Sequence, residues 1–253
     1  MAGISIFFIT TYFADYILVP HRSRTPVIKA LEARGFAFDM STSTYTNASH
    51  SRNHSSSSNE TPPPGTPPPA SISELQTRTF ATLKRRNIVP TVDPAIRLVH
   101  CAGRRDTDLA NGSRPSANRT AEDKLQLGLV KCLICTPRFL SLTLTDTEPA
   151  SLLLEKRLLA NFPGDDDVLL GSKDDILIPI TLDLRGLPLE STGIVCGVAS
   201  RLVGGTTAGL EGPVEMSYLS TARAGTVMVA EEEIERAMWA LRGVDNGVHE
   251  LGD

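Results

Sequence analysis

The chain has 253 residues, of which 41% are hydrophobic and 5% aromatic, and its formal net charge at pH 7 is −4. This length allows one or two domains, and so small a charge gives no global indication of a nucleic acid or an anionic membrane as partner. No apolar run reaches the ~18 residues of a membrane span, and the apolar N-terminus lacks the basic region of a signal peptide. The four cysteines, without an export signal, predict a reduced, intracellular protein.

The first part of the chain predicts two strands and a helix. Residues 4–12 and 15–20 are rich in apolar, β-branched and aromatic side chains, and a Thr-rich connection separates them. Apolar residues at helical spacing follow in 22–35, where Gly35 is a natural helix stop.

Three segments have the composition of linkers. Residues 41–71 are Ser, Thr, Asn and Pro with almost no large aliphatic residue, and they cannot bury enough apolar surface to offset their ordering entropy. A disordered insertion is therefore predicted over 37–72. A polar linker is predicted over 103–122, and a frayed tail over 244–253.

The remaining segments alternate between strand and helix patterns. The predicted elements are a helix over 72–86 with Ser73 as its N-cap, strands over 95–101 and 139–145, helices over 125–135 and 150–159, and a strand over 176–184. From 176 onward the order is strand, helix, strand, strand, helix. With a final strand this would be a βαββαβ ferredoxin-like unit, so the predicted fold class is α+β.

Two stretches 210 residues apart, 6–31 and 216–241, share one pattern of elements. Each has an apolar strand, a polar turn containing Thr or Ser, a second apolar strand and an amphipathic helix. Thr11 aligns with Thr221 without a gap. Few positions are identical, but the repeated order indicates a duplicated supersecondary unit. The first copy lacks the strand and helix that precede the second.

The motifs give no support for catalysis. Cys132 and Cys135 form a CxxC without the second pair that a four-ligand zinc site needs, and they lie in an apolar run where a structural role is favoured. No nucleophile elbow, Walker loop or HExxH motif is present. We therefore expect no enzymatic activity, no metal and no cofactor.

The segment Ser191–Gly197 follows a strand and opens a helix. Its free N–H groups and the positive helix end could receive a carboxylate, and Gly193 would let a ligand approach the backbone closely. An ordinary helix start, with Ser191 or Thr192 as N-cap, is the other interpretation. The segment alone does not decide between them.

These residues carry a family resemblance. The segments 2–20 and 218–229, with Thr192–Val195 before the second, resemble the strand pairs and helix start of ACT domains. Their pattern is similar to that of the CASTOR family, which comprises cytosolic arginine sensors and fungal ACT-repeat relatives. The missing first strand and helix would make this chain an N-terminally truncated relative.

The resemblance implies tandem ACT units separated by the polar insertions. A partial unit would consist of 1–36 with 73–102. ACT-like units would fill 123–243, with a helix, a strand and a helix over 123–162 and an ACT unit over 176–243.

The resemblance also implies an amino-acid site between two units. The implied ligand contacts are Ser5 and Ile6 from the first copy, and Gly193, Ile194, Val195, Thr221 and Ala222 from the second. One departure concerns the ligand: arginine sensors have an Asp where this chain has Gly225, although the first copy keeps Asp15. A guanidinium buried without a carboxylate is costly, so the identity of the amino acid stays open.

The implied function is that of a non-catalytic, cytoplasmic amino-acid sensor that acts by changing a protein contact. The alternatives are an allosteric regulatory module acting with an amino-acid biosynthetic enzyme, and an interaction protein without a ligand. The expected partners are a small amino acid and a protein, or a second copy bound through the ACT sheets. Neither a nucleic acid nor a membrane is expected.

Overall fold

The computed structural model describes residues 4, 6–38, 71–104, 121–162, 164, 168–188, 191–203 and 212–242. The fold is α+β, as predicted: in these ranges ten strands form one antiparallel sheet accompanied by five α-helices. The insertion predicted over 37–72, the linker over 103–122 and the tail over 244–253 lie almost entirely outside the described residues. None of the helices in the described ranges has the length and apolar character needed to cross a bilayer.

The N-terminal elements are a hairpin and a helix. Strands β1 (Phe7–Thr10) and β2 (Asp15–Leu18) pair antiparallel, and a 3-10 turn leads into helix α1 (Arg24–Glu32). Gly35 follows the helix with φ +89°, and its N–H donates a hydrogen bond to the Glu32 carbonyl at 2.9 Å. Glycine adopts this left-handed conformation without a Cβ clash, which explains why the helix stops here.

Helix α2 (Ile72–Arg85) starts from a different cap than predicted. Its N-cap is Ser71 rather than Ser73, because the Ser71 hydroxyl accepts a hydrogen bond from the Glu74 N–H at 3.1 Å. This is the Ser-x-x-Glu spacing of a capping box. Two strands follow, β3 (Thr91–Val92) and β4 (Leu98–Gly103).

Residues 98–170 form a βαββαβ arrangement whose second helix is a 3-10 helix. After β4 come α3 (Ala121–Ile134), β5 (Leu140–Thr143), β6 (Ser151–Glu155), the 3-10 helix Lys156–Asn161 and β7 (Leu169–Leu170). The strands pair in the order β7-β4-β6-β5, all antiparallel. This pairing joins residues 98–102, which the sequence analysis assigns to the first unit, to the elements between 121 and 170.

The prediction of a helix over 150–159 is wrong, since β6 and the 3-10 helix occupy this segment. Leu152 and Leu154 lie in one core cluster and Leu153 in another, so both faces of β6 are covered. A short, uninterrupted apolar run suits a strand buried on both faces as well as a buried helix. Periodicity does not distinguish the two.

The C-terminal elements have the predicted order of strand, helix, strand, strand and helix. They are β8 (Leu177–Asp183), α4 (Ile194–Val203), β9 (Ser217–Ser220), β10 (Ala224–Ala230) and α5 (Ile234–Arg242). Strand β10 pairs with both β8 and β9. Strand β3, from earlier in the chain, pairs with the other side of β8, where the final strand of a βαββαβ unit would lie.

The whole sheet has the order β2-β1-β9-β10-β8-β4-β6-β5. One core cluster lies under α3 and the 3-10 helix and is centred on Val99, Leu152 and Leu158. A second lies between β8–β10 and the helices α4 and α5, where Ile180, Val198 and Val227 are fully buried. The first-copy hairpin is less covered: Ile17 and Leu18 of β2 are 45% and 52% exposed.

Candidate site at the junction of two repeated units

The repeat predicted from the sequence is present element by element. Strand β1 and helix α1 begin and end 210 residues before β9 and α5. The 3-10 turns that precede the helices, His21–Ser23 and Glu231–Glu233, have the same offset. Only β10 is longer than its counterpart β2. The two stretches are therefore two copies of one strand-turn-strand-helix unit.

The turn between the strands is built by the same hydrogen bonds in both copies. The backbone N–H of Thr11 and that of Thr221 donate to the carbonyls of Ala14 and Ala224, at 2.8 and 2.9 Å. The threonine hydroxyls donate to the same carbonyls at 2.7 and 3.0 Å and accept from the alanine N–H groups at 3.1 and 3.0 Å. Each hydroxyl is thus used inside its own turn, which explains the Thr at this position of both copies.

The two copies meet along β1 and β9 with approximate two-fold symmetry. The paired residues Ile9 and Leu219 are equivalent positions of the repeat. On either side, the Phe8 N–H donates to Ser220 Oγ at 3.1 Å, and the Tyr218 N–H donates to Thr10 Oγ1 at 3.3 Å. These two hydrogen bonds are equivalent to each other, since Phe8 corresponds to Tyr218 and Thr10 to Ser220. Because each contact occurs twice with the roles exchanged, the pairing is isologous, like that of a symmetric homodimer.

This register brings three of the predicted site residues to one end of the strand pair. Ile6 directly precedes β1, and Thr221 and Ala222 directly follow β9, so the antiparallel pairing brings all three to the same end of the strand pair. Ile6 is 37% exposed, and Thr221 and Ala222 are exposed as well. This end of the junction therefore opens to solvent. Ser5, the other predicted contact from the first copy, lies outside the described residues.

Gly193 lies immediately before α4, with φ +85°. Its carbonyl accepts the N–H of Gly197 at 2.7 Å. A Cβ at Gly193 would lie 2.8 Å from Leu75 Cδ1 and 3.0 Å from Thr79 Oγ1. Side chains of α2 therefore lie directly against the Gly193 backbone. Both the backbone conformation of Gly193 and its surroundings require glycine.

Ile194 and Val195, at the start of α4, pack against the second core cluster. Both are half-buried and pack against the same core cluster as Phe8 of β1 and Tyr218 of β9. The same core cluster therefore includes or contacts side chains from both copies and from the start of α4.

Tyr218 is a candidate site residue that the sequence analysis did not predict. Its side chain is 1% exposed, and a Cβ on Gly225 would lie 2.0 Å from its hydroxyl oxygen. Gly225 directly follows the turn that begins at Thr221, so the hydroxyl occupies the space of a side chain at this point of the junction. Among the described residues, none forms a hydrogen bond with this hydroxyl. The hydrogen bond from Tyr218 to Thr10 is donated by the backbone N–H.

The environment of Tyr218 fixes its protonation state. Burial raises the pKa of the Tyr218 hydroxyl to about 12, because the phenolate would lose its hydration. At neutral pH the group is therefore an uncharged hydroxyl that can both donate and accept a hydrogen bond. The sequence signal that could have identified it is Gly225, because a glycine inside a strand often marks the close approach of another group.

The CxxC does not behave as a reactive pair in the described structure. Cys132 is fully buried in the core beneath α3, and burial raises the pKa of its thiol. A higher pKa leaves less thiolate, which is the nucleophilic form. Cys135 is exposed, and both are free thiols. In the described ranges no three His, Cys, Asp or Glu side chains cluster as a metal site would require.

Comparison with known proteins connects the first copy of the repeat to one family. The family model of the ACT domain matches residues 1–33, which contain β1, β2 and α1. No curated protein matches the chain. These 33 residues are therefore similar to ACT-domain sequence, and the element-by-element repeat shows that 216–242 has the same local structure.

Several solved structures are similar to the chain at low identity. One is a Vibrio cholerae protein of unknown function described as a possible transport protein, with 17% identity, 64% coverage of this chain, 94% of that chain and a TM-score of 0.36. A structure of aspartokinase alpha and beta subunits has 10% identity, covers 60% of this chain and 90% of that chain, and has a TM-score of 0.38. The ligand-free regulatory subunit of aspartate kinase from Thermus thermophilus has 10% identity, covers 61% of this chain and 96% of that chain, and has a TM-score of 0.38. Similarities this distant do not show a shared function.

Proposed function

We propose that this chain is a non-catalytic ACT-repeat protein that binds a small amino acid where its two repeated units meet. The observation that carries the proposal is the isologous pairing of β1 with β9. It brings Ile6 and the turn with Thr221 and Ala222 to the same end of the strand pair, and Ile194 and Val195 pack against the core cluster that Phe8 also contacts. The ACT-domain match to residues 1–33 supports a regulatory role for such a junction.

In this proposal the ligand contacts are those implied by the resemblance together with Tyr218. The exposed end of the junction receives the ligand between Ile6 and the turn at Thr221 and Ala222. The backbone N–H groups at the start of α4 bind its carboxylate, because they are unsatisfied within the helix and carry its positive dipole end. Gly193 contributes its backbone only, since α2 fills the space around its Cα.

The ligand of this proposal has an uncharged side chain. Tyr218 occupies the space beside Gly225, and its hydroxyl is neutral at physiological pH. A buried guanidinium would need a carboxylate to offset its desolvation, whereas a hydroxyl or amide group would find a matching partner in Tyr218. We therefore expect arginine to bind more weakly than a neutral amino acid.

Signalling would follow from the position of the site between two units. A ligand that contacts both copies binds best when they are docked as in this structure, and so shifts the population toward that arrangement. Its output would be a changed contact with a protein partner in the cytoplasm. The alternative roles, a regulator acting with a biosynthetic enzyme or a ligand-free interaction protein, share the fold and differ in ligand and partner.

A thermal-shift screen of the twenty amino acids tests the proposal. One of them should raise Tm clearly, because a ligand that binds only the native state stabilises it by about 2.7 kcal/mol at one hundred times its Kd. Tyr218→Phe should weaken this binding by about tenfold, the effect of one lost hydrogen bond at the upper end of the usual range. Tyr16→Phe, which removes a hydroxyl from the first copy that donates to Glu148 Oε2 at 3.2 Å, is the matched control and should bind normally.

Two results would contradict the proposal. The first is a folded protein that shows no shift with any amino acid at millimolar concentration, which would favour the ligand-free interaction protein. The second is equal binding by Tyr218→Phe and the native chain, which would move the ligand away from this junction. Substitution of Gly193 is not a useful test, because a side chain there would collide with Leu75 and Thr79 and disturb folding.

A further inference from the structure

A second cavity lies away from the junction, where the C-terminal ends of three helices converge. Its volume is about 520 Å³, and it is bounded by α2, α4, α5 and the segment 87–90. Pockets that bind small molecules usually measure about 300–1,000 Å³, so this one has the size of a ligand site. None of the junction residues lines it.

The floor of the cavity is apolar and belongs to the core. Leu182 of β8, Val198 of α4 and Leu241 of α5 are each at most 5% exposed and are members of the cluster between the sheet and these helices. Phe80 of α2 and Ile88 pack against the same cluster from the opposite wall. The floor is therefore rigid and favours hydrocarbon over water.

The rim is cationic. Lys84 of α2, Arg201 of α4 and Arg242 of α5 all line the cavity, and among the residues that the structure describes no Asp or Glu does. Arg201 is held over the Phe80 ring, with its guanidinium carbon 4.6 Å from the ring centroid. Within the described part of the chain neither Arg201 nor Arg242 forms a salt bridge.

The convergence of these charges is not explained by helix stability alone. Each basic residue lies in the last turn of its helix, where it complements the negative end of the helix dipole. The ends of α4 and α5 each contribute about half a negative charge, against one full positive charge each from Arg201 and Arg242. The cavity therefore keeps a net positive potential above an apolar floor.

We propose that this cavity binds an organic carboxylate with an apolar chain or ring, with the carboxylate at the cationic rim and the hydrocarbon on the floor. Arg201 is the principal contact, because Phe80 fixes its guanidinium and a guanidinium can bind a carboxylate through two parallel hydrogen bonds. Lys84 and Arg242 add charge without fixing orientation. The inference is independent of the amino-acid site, since the two sites share no lining residue.

Octanoate is the probe for this site. Trp239 is the single tryptophan of the chain, and it lines a neighbouring hollow together with Arg242. Its fluorescence, checked by calorimetry, should therefore report binding. Octanoate should bind saturably, while octanol, which lacks the charge, and acetate, which lacks the chain, should bind at least tenfold more weakly. Equal affinity for octanoate and octanol would overturn the proposal, as would the absence of saturable octanoate binding.

Three variants locate the binding. Arg201→Gln should raise the Kd for octanoate by at least tenfold, since hydrogen bonds to a charged group are about twice as strong as neutral ones. Ala81→Phe should abolish binding by filling the cavity, whose wall includes Ala81, while keeping every charge. The matched control is Arg185→Gln, because Arg185 pairs with Asp183 outside the cavity.

The outcomes separate the two proposals. Circular dichroism first confirms that each variant folds, and Ala81→Phe keeps the test valid if Arg201→Gln does not fold. An affinity for octanoate that is the same in Arg201→Gln, Ala81→Phe and Arg185→Gln would overturn the site. Tyr218→Phe should leave octanoate binding unchanged, and Arg201→Gln should leave any amino-acid thermal shift unchanged.

Discussion

A neighbouring side chain leaves no room for a Cβ atom at residue 225, where the chain has glycine. The Tyr218 hydroxyl lies where that Cβ would be, and the tyrosine cannot easily move because its side chain is 1% exposed. The first copy has Phe8 and Asp15 at the equivalent positions. In the first copy the shorter Phe8 is combined with Asp15, which has a side chain. In the second copy the longer Tyr218 is combined with Gly225, which has none.

We predict that Gly225→Ala destabilises the protein by about 1–3 kcal/mol, the usual cost of overpacking a core. Tyr218→Phe in the same background should recover part of this loss, because the nearest remaining atom, Cζ, lies 2.9 Å from the added Cβ instead of 2.0 Å. Urea unfolding of the two single variants and the double variant measures the coupling. Gly186→Ala is the control, since nothing lies within 4 Å of its Cβ position. Equal effects of Gly225→Ala and Gly186→Ala would contradict the contact.

The candidate site was predictable from the sequence in part. The aligned turns, with Thr11 matching Thr221, correctly indicated two copies, and Ile6 and Ala222 lie at the end of the strand pair that joins them. Tyr218 was not predictable, because a tyrosine in a strand is most simply a core residue. Its role depends on which backbone position lies beneath its hydroxyl, and a single sequence does not contain that information.

At the scale of elements, α2 packs against α4 through small residues. Gly193 and Gly197 lie one helical turn apart and face the same residue, Thr79 of α2. A Cβ at Gly197 would lie 2.7 Å from Thr79 Cγ2, so the two helices are in backbone-level contact there. This packing fixes the start of α4 against α2.

The effect of Gly197→Ala should depend on Thr79. Helix propensity alone would stabilise the alanine variant by about 1 kcal/mol, but overpacking against Thr79 costs about 1–3 kcal/mol. We therefore expect Gly197→Ala to destabilise the native chain. The same substitution should be less harmful, or stabilising, when Thr79→Ser removes the methyl group that it meets. The free energy of unfolding of the four proteins decides this, and an effect of Gly197→Ala that is the same in both backgrounds would contradict the tight contact.

The elements themselves were predictable to different degrees. The helices around Val27 and Leu125 and the strand around Ile178 follow clear periodic patterns and are where the sequence predicts them. The error at Leu152–Leu154 arose because a strand covered on both faces has no alternation. Pairing partners were also not predictable, since the hydrogen bonds of β4 to β6 and β7 join residues distant in the sequence.

At the scale of the whole molecule, the β1–β9 pairing joins the first and the last parts of the described chain into one sheet. We predict that the double variant Ile9→Cys, Leu219→Cys forms an intramolecular disulfide on mild oxidation. Directly opposed residues of antiparallel strands have Cα atoms about 4.5–5.5 Å apart, within the range that a disulfide spans. Ser should replace the exposed Cys135 and the half-buried Cys196 in this background.

The control for this crosslink is Ile17→Cys with Leu219→Cys, because β2 is separated from β9 by β1. A shift in electrophoretic mobility that reduction reverses, seen with Ile9→Cys, Leu219→Cys and not with Ile17→Cys, Leu219→Cys, would agree with the β1–β9 pairing. Mass spectrometry identifies the crosslinked peptides. A disulfide that forms only between separate molecules would contradict it.

The internal two-fold also removes a constraint that binds symmetric homodimers. In a homodimer one gene specifies both sides of the axis, so any substitution appears at both equivalent positions. Here Phe8 corresponds to Tyr218, and Asp15 to Gly225, as independently encoded residues. One side can therefore evolve a new specificity, or lose its ligand, while the other stays unchanged. Because the halves are covalently linked, this specialisation does not depend on protein abundance.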